Sequence, residues 1–96
     1  MTQGPTCYYD TWMYAVRHGG TIVHGTVIGG YPRRTIRHAW VEFDDGTVWD
    51  PQFCEVLSRD KYYELVEARP SRRYDMADAT TRSFRTKRFG GPWEEE

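Results

Sequence analysis

Three residue types that together can make a thiol nucleophile occur in the order Cys7, His38 and Asp50. Such a nucleophile must be partly thiolate, needs a base within hydrogen-bond reach, and that base needs an orienting group. Cys7 stands where a helix is expected to begin. The unpaired N–H groups and dipole of a helix N-terminus favour thiolate over thiol. The same N–H groups can stabilise an oxyanion, so one backbone element serves both purposes. With histidine as proton shuttle and aspartate to hold the imidazole, the set is equipped for attack on a carbonyl.

The elements that must position these residues are legible in turn. Tyr8, Trp12, Ala15 and Val16 fall on one helical face and predict a helix from Cys7 to His18, with Thr6 as N-cap. Arg17 and His18 suit its C-terminal end, and Gly19-Gly20 stops it. Thr21 to Ile28 reads as a first strand, Gly29 to Arg34 as a loop, Thr35 to Phe43 as a second strand, and Thr47 to Asp50 as a third. Pro51 ends that strand.

Alternation places His38, Trp40 and Glu42 on one face of the second strand, with Ala39, Val41 and Phe43 on the other. Whether Asp50 joins His38 depends on the hairpin loop. A two-residue Asp45-Gly46 loop pairs Phe43 with Val48 and turns Asp50 to the wrong face. A three-residue Asp44-Asp45-Gly46 loop, with Gly46 left-handed in a bulge, pairs Phe43 with Thr47 and Trp40 with Asp50. Asp50 then lies on the His38 face, diagonal to it. The three-residue loop is the one predicted.

Beyond Pro51, Ser58 is placed to cap a helix over Arg59–Ala68 with Tyr62, Leu65 and Val66 inward, and Pro70 prevents its continuation. Asp75 and Asp78 predict a capped short helix near Met76–Arg82. Ser83–Phe89 reads as a last strand, and Gly90-Gly91-Pro92 as a bend between the anchors Phe89 and Trp93. The expected fold class is α+β: an N-terminal helix packed on a small antiparallel sheet, with further short helices. At 96 residues one domain is expected over 1–96. Its core is expected over 6–68, followed by a basic segment at 69–88 and acidic residues at 94–96.

The helix-start Cys7, the run His38-Ala39-Trp40-Val41-Glu42-Phe43 and the run Asp45-Gly46-Thr47-Val48-Trp49-Asp50-Pro51 resemble the core of transglutaminase-like cysteine proteins, which share a papain-like arrangement. The resemblance covers Cys7 to Pro51. It implies a papain/transglutaminase-like core with Cys7 as nucleophile, His38 as general base and acid, and Asp50 orienting His38. It also implies a peptide, amide or thioester substrate, cleaved or transferred without a cofactor. Papain-like enzymes place an oxyanion-binding Gln shortly before the Cys, and Gln3 is the residue here that matches. Trp40 shares the His38 face and is expected beside the site, near substrate or shielding the His38–Asp50 pair. The chain departs from larger relatives in having Tyr8 and Tyr9 directly after the Cys, and in lacking their substrate-binding elaborations.

Other residues have simpler readings. Cys54 lacks the helix-start position that activates a thiol and reads as structural. His24 and His18 read as surface or capping histidines. A zinc site built from Cys7, His24, His38 and Cys54 has no short ligand pair to nucleate it, and no metal is expected. A Cys7–Cys54 bridge stays open, and it would remove the nucleophile.

Composition sets the outer limits. The chain is 39% hydrophobic, 16% aromatic and 28% charged, with a formal net charge of −1, which fits a folded globular domain and not a disordered one. No basic start precedes an apolar run and no stretch approaches membrane-spanning length, so the expectation is a cytoplasmic protein without a membrane partner. Arg69, Arg72, Arg73, Arg82, Arg85, Lys87 and Arg88 make 69–88 basic. That leaves a second function open: a non-catalytic binding module that keeps the fold and uses 69–88 to bind nucleic acid or an acidic partner.

Overall fold

The computed structural model describes residues 6–93. In chain order the elements are α1 (Cys7–His18), β1 (Thr21–Gly29), β2 (Arg34–Glu42), β3 (Thr47–Asp50), β4 (Glu55–Ser58), α2 (Arg59–Val66), β5 (Arg69–Tyr74) and α3 (Met76–Thr86). The strands form one antiparallel sheet in the order β4-β3-β2-β1-β5. The fold class is α+β.

Strand alternation divides the core between the two faces of this sheet. One face carries Ile22, Val41 and Tyr74, covered by Trp12 and Ala15 of α1, by Ala79 of α3 and by Trp93. The other carries Val23, Val27, Trp40 and Val48, covered by Tyr62 of α2. Helices of 8 to 12 residues are marginal alone, so docking on the sheet is what holds them. Each large apolar side chain buried there contributes roughly 1.5–3 kcal/mol.

Local chemistry sets the helix ends. Ser58 accepts the Lys61 N–H at 3.1 Å at the start of α2, and Asp75 accepts the Asp78 N–H at 2.8 Å at the start of α3. Gly19, at φ +82, closes α1 with its N–H on the Ala15 carbonyl at 2.7 Å. Thr6 occupies the N-cap position of α1, but its side chain makes no capping hydrogen bond.

The hairpin between β2 and β3 has the three-residue loop. Val41 pairs with Trp49 and Glu42 with Val48, which carries through to Trp40 opposite Asp50. The Phe43 N–H bonds the Thr47 carbonyl at 2.9 Å, the Gly46 N–H bonds the Phe43 carbonyl at 3.1 Å, and Gly46 takes φ +85. Asp45 holds the turn by accepting from the Thr47 N–H and hydroxyl.

Several expectations are corrected. Residues 83–86 belong to α3, so Ser83–Phe89 is no strand. Small residues explain why: Ala79 and Ser83 are one helical turn apart and fully buried, letting α3 approach closely without an apolar stripe. Strands β4 and β5 were not foreseen; both are edge strands, and most of their residues are exposed. Val16 and Leu65 face solvent, and Cys7 and Thr11 complete the buried face of α1 instead. His24 is buried, with its Nε2 3.0 Å from the Gly90 carbonyl and its ring against Tyr8, Tyr74 and Trp93. No helix among the described residues is long and apolar enough to cross a membrane.

Candidate active site

The three-residue loop has its consequence at Asp50. His38 and Asp50 emerge on the same face of neighbouring strands, and His38 Nε2–H donates to Asp50 Oδ2 at 2.8 Å. Both side chains are buried. Asp50 is satisfied on every side. Oδ2 also accepts the hydroxyl of Tyr62 from α2, and Oδ1 accepts the N–H groups of Gln52 at 2.7 Å and Phe53 at 3.3 Å. The Pro51–Cys54 turn thus folds back over the carboxylate that precedes it.

Cys7 is near enough to His38 to add, with Asp50, to the rise of the imidazole's pKa. Cys7 opens α1, ahead of that helix's first backbone bond from Asp10 N–H to the Thr6 carbonyl. It is 7% exposed and packs with Tyr8 and Ala39, the neighbour of His38 on β2. The structure joins His38 to Asp50 and sets Cys7 against Ala39, the residue next to His38. Gln3 lies outside the described residues.

The electrostatics follow from burial and partners. Burial alone lowers the His38 pKa, but the hydrogen bonds to Asp50 and Cys7, together with their negative charges, outweigh it and raise it from 6.5 to about 9. Burial alone raises that of Asp50. The His38 hydrogen bond and charge, the Tyr62 hydroxyl and the Gln52 N–H reverse this, holding Asp50 below the usual aspartate range. At neutral pH the pair is therefore imidazolium and carboxylate.

Trp40 is fully buried, its ring centre 6.3 Å from that of His38 and 5.6 Å from that of Tyr62. Its indole N–H goes to Glu42 Oε2 at 3.0 Å. Trp40 is thus packed beside the His38–Asp50 pair, within the core. Glu42 also accepts the Tyr63 hydroxyl and, at 3.3 Å, the Arg73 guanidinium. Burial works against its ionisation, yet the Tyr63 and Trp40 hydrogen bonds and the Arg73 charge hold its pKa below the ordinary value. This network ties β2, α2 and β5 together beneath the site.

Two pockets flank the Pro51–Cys54 turn. One, of about 220 Å³, is lined by His38, Asp50 and Tyr62 together with Val27, Ile36 and Phe53 among others. The second, of about 640 Å³, lies between α1 and the turn, with Tyr9, Tyr14, Trp49, Pro51 and Cys54 in its wall. Both cysteines are free. Cys54 is exposed, and its thiol donates to the Pro51 carbonyl at 3.1 Å. Among the described residues no group of three or more His, Cys, Asp and Glu is arranged to hold a metal.

Tyr62 is the member that sequence reasoning missed. Its place on the inward face of α2 was legible, but its hydroxyl's partner is set by how α2 docks on the sheet. The basic residues of 69–88 are divided among β5, α3 and the two positions that follow α3. Arg73 turns to Glu42, while Arg82 bonds Asp78 at 2.8 Å and lies over the Tyr74 ring.

The chain matches no protein-family model, no curated protein and no solved structure.

Proposed function

We propose that this chain is a small cysteine-nucleophile hydrolase or acyltransferase acting on an amide or thioester, with a papain/transglutaminase-like core. The observation that carries the proposal is the buried His38–Asp50 pair, joined at 2.8 Å, with Cys7 near enough to add to the rise of the His38 pKa. The Cys7 thiolate attacks the carbonyl carbon, and the oxyanion that forms is met by the Cys7 N–H at the start of α1. The tetrahedral species collapses as imidazolium His38 gives its proton to the departing amine or thiol. That leaves an acyl-Cys7 thioester. Water or an acceptor amine then attacks the thioester, passing its proton to His38, and the acyl group leaves Cys7. Asp50 keeps the imidazole oriented and compensates its charge throughout. The pocket beside His38 is small and largely apolar in its walls, suited to an uncharged flank of the substrate.

Iodoacetamide labelling near pH 6, with the modified cysteine located by mass spectrometry, tests this. Cys7 is expected to react faster than the exposed Cys54, and His38→Ala to remove the advantage. A Cys7 that reacts no faster than Cys54 would sink the enzyme reading.

A further inference from the structure

Tyr62 comes from α2, outside the segment that carries the resemblance, and its side chain is fully buried. Its hydroxyl donates to Asp50 Oδ2, the same oxygen that receives His38 Nε2–H. The ring is held from two sides, with centroids 5.6 Å from Trp40 and 6.3 Å from Phe53. The other carboxylate oxygen is held by the turn N–H groups of Gln52 and Phe53.

We propose that Tyr62 is a positioning residue for the reaction, which locks the Asp50 carboxylate in the plane that presents Oδ2 to His38 and keeps it ionised. The inference rests on the Cys7–His38–Asp50 reading. Two turn N–H groups on Oδ1 fix one end of the carboxylate but leave it free to pivot about that end. A donor on Oδ2 removes this freedom, and a carboxylate with four donors has no lone pair left to recruit water. The phenol serves because burial and the adjacent carboxylate both oppose its ionisation, so it remains a donor across the working pH range. Phenylalanine would pack equally well here, so the hydroxyl marks a requirement beyond the core.

A double-mutant cycle tests this, read as the iodoacetamide rate at Cys7 near pH 6. Tyr62→Phe is expected to slow alkylation about tenfold, in line with loss of one hydrogen bond to a charged group. In an Asp50→Asn background the same change is expected to have no further effect, because Tyr62 acts only through the carboxylate. Equal slowing in both backgrounds, or none where Asp50 is intact, overturns the proposal. The second readout is the Asp50 carboxyl titration followed by carbon NMR. Tyr62→Phe should raise its midpoint, and 3-fluorotyrosine at position 62, a stronger donor, should lower it. A midpoint that moves with neither replacement refutes the positioning role, and if Tyr62→Phe fails to fold, an unmoved midpoint in the 3-fluorotyrosine protein alone refutes it. His38→Ala run in parallel separates the two failures: without an effect of His38 on Cys7, the triad reading falls, while the Asp50 titration still reports on Tyr62.

Discussion

His38 and Asp50 are 12 residues apart in the chain and joined by a 2.8 Å hydrogen bond. What brings them together is the length of the Asp44-Asp45-Gly46 loop. Side chains alternate along a strand, so a register shifted by one residue would send Asp50 to the α1 face, where Trp49 now stacks on Tyr14. The chemistry of the site is thus written into a hairpin turn.

Gly46 sits at φ +85 with open space where a side chain would be. Gly46→Ala is therefore expected to cost roughly 1–2 kcal/mol through backbone strain alone, read by urea denaturation. Because no contact at the site changes, Cys7 in the folded variant should alkylate at the parent rate. A slowed Cys7 would show that the turn does more than set register.

The paired shifts of His38 and Asp50 predict a stability profile. A pKa raised by folding, from 6.5 to about 9 at His38, contributes stability that is fully present below 6.5 and lost as pH rises through about 9. A depressed pKa, as at Asp50, contributes stability present above its ordinary 3.8 and lost as pH falls through its folded value. The parent should thus exceed His38→Gln in stability most clearly between about 4 and 6.5, with the margin shrinking toward pH 9. At roughly 1.4 kcal/mol per pKa unit the His38 contribution is on the order of 3 kcal/mol at most. Parallel denaturation curves for the two proteins, with a margin flat from pH 6 to 9, would contradict it.

Gly90 has φ +89, and a Cβ there would lie 2.1 Å from the Tyr8 carbonyl oxygen. The 88–93 segment therefore crosses α1 one residue from Cys7, fastened by His24 on the Gly90 carbonyl and by the Gly90 N–H on Ser83. Gly90→Ala should destabilise by roughly 3 kcal/mol through overpacking and strain. Loosening the helix start should also slow Cys7 alkylation. Thermal denaturation of the variant within a degree of the parent would refute the close approach.

Thr11 lies one helical turn after Cys7, and its Oγ1 is buried without a hydrogen-bond partner among the described residues. Thr11→Val keeps the shape and removes an unpaired hydroxyl, so it should stabilise by about 1 kcal/mol. A loss of stability in urea titration would mean that the hydroxyl is bonded in solution.

The parts governed by local chemistry were legible along the chain. Helical periodicity marked α1, β-branched density marked β1 and β2, and Ser58 and Asp75 announced the starts of α2 and α3. The Asp44-Asp45-Gly46 turn specified the register that joins His38 to Asp50, because loop length and alternation are counted along the chain. Tertiary structure decided what depends on distant partners. Strand β5, with its Arg-Pro-Ser-Arg-Arg run, has no apolar alternation to reveal it and exists because β1 offers an edge to pair with. Strand β4 adds to β3 in the same way. His24 reads as a surface residue until Tyr8, Tyr74 and Trp93 close around it. The Tyr62 hydroxyl found Asp50 only when α2 docked on the sheet. Packing between elements far apart in the chain leaves no periodic trace in either of them.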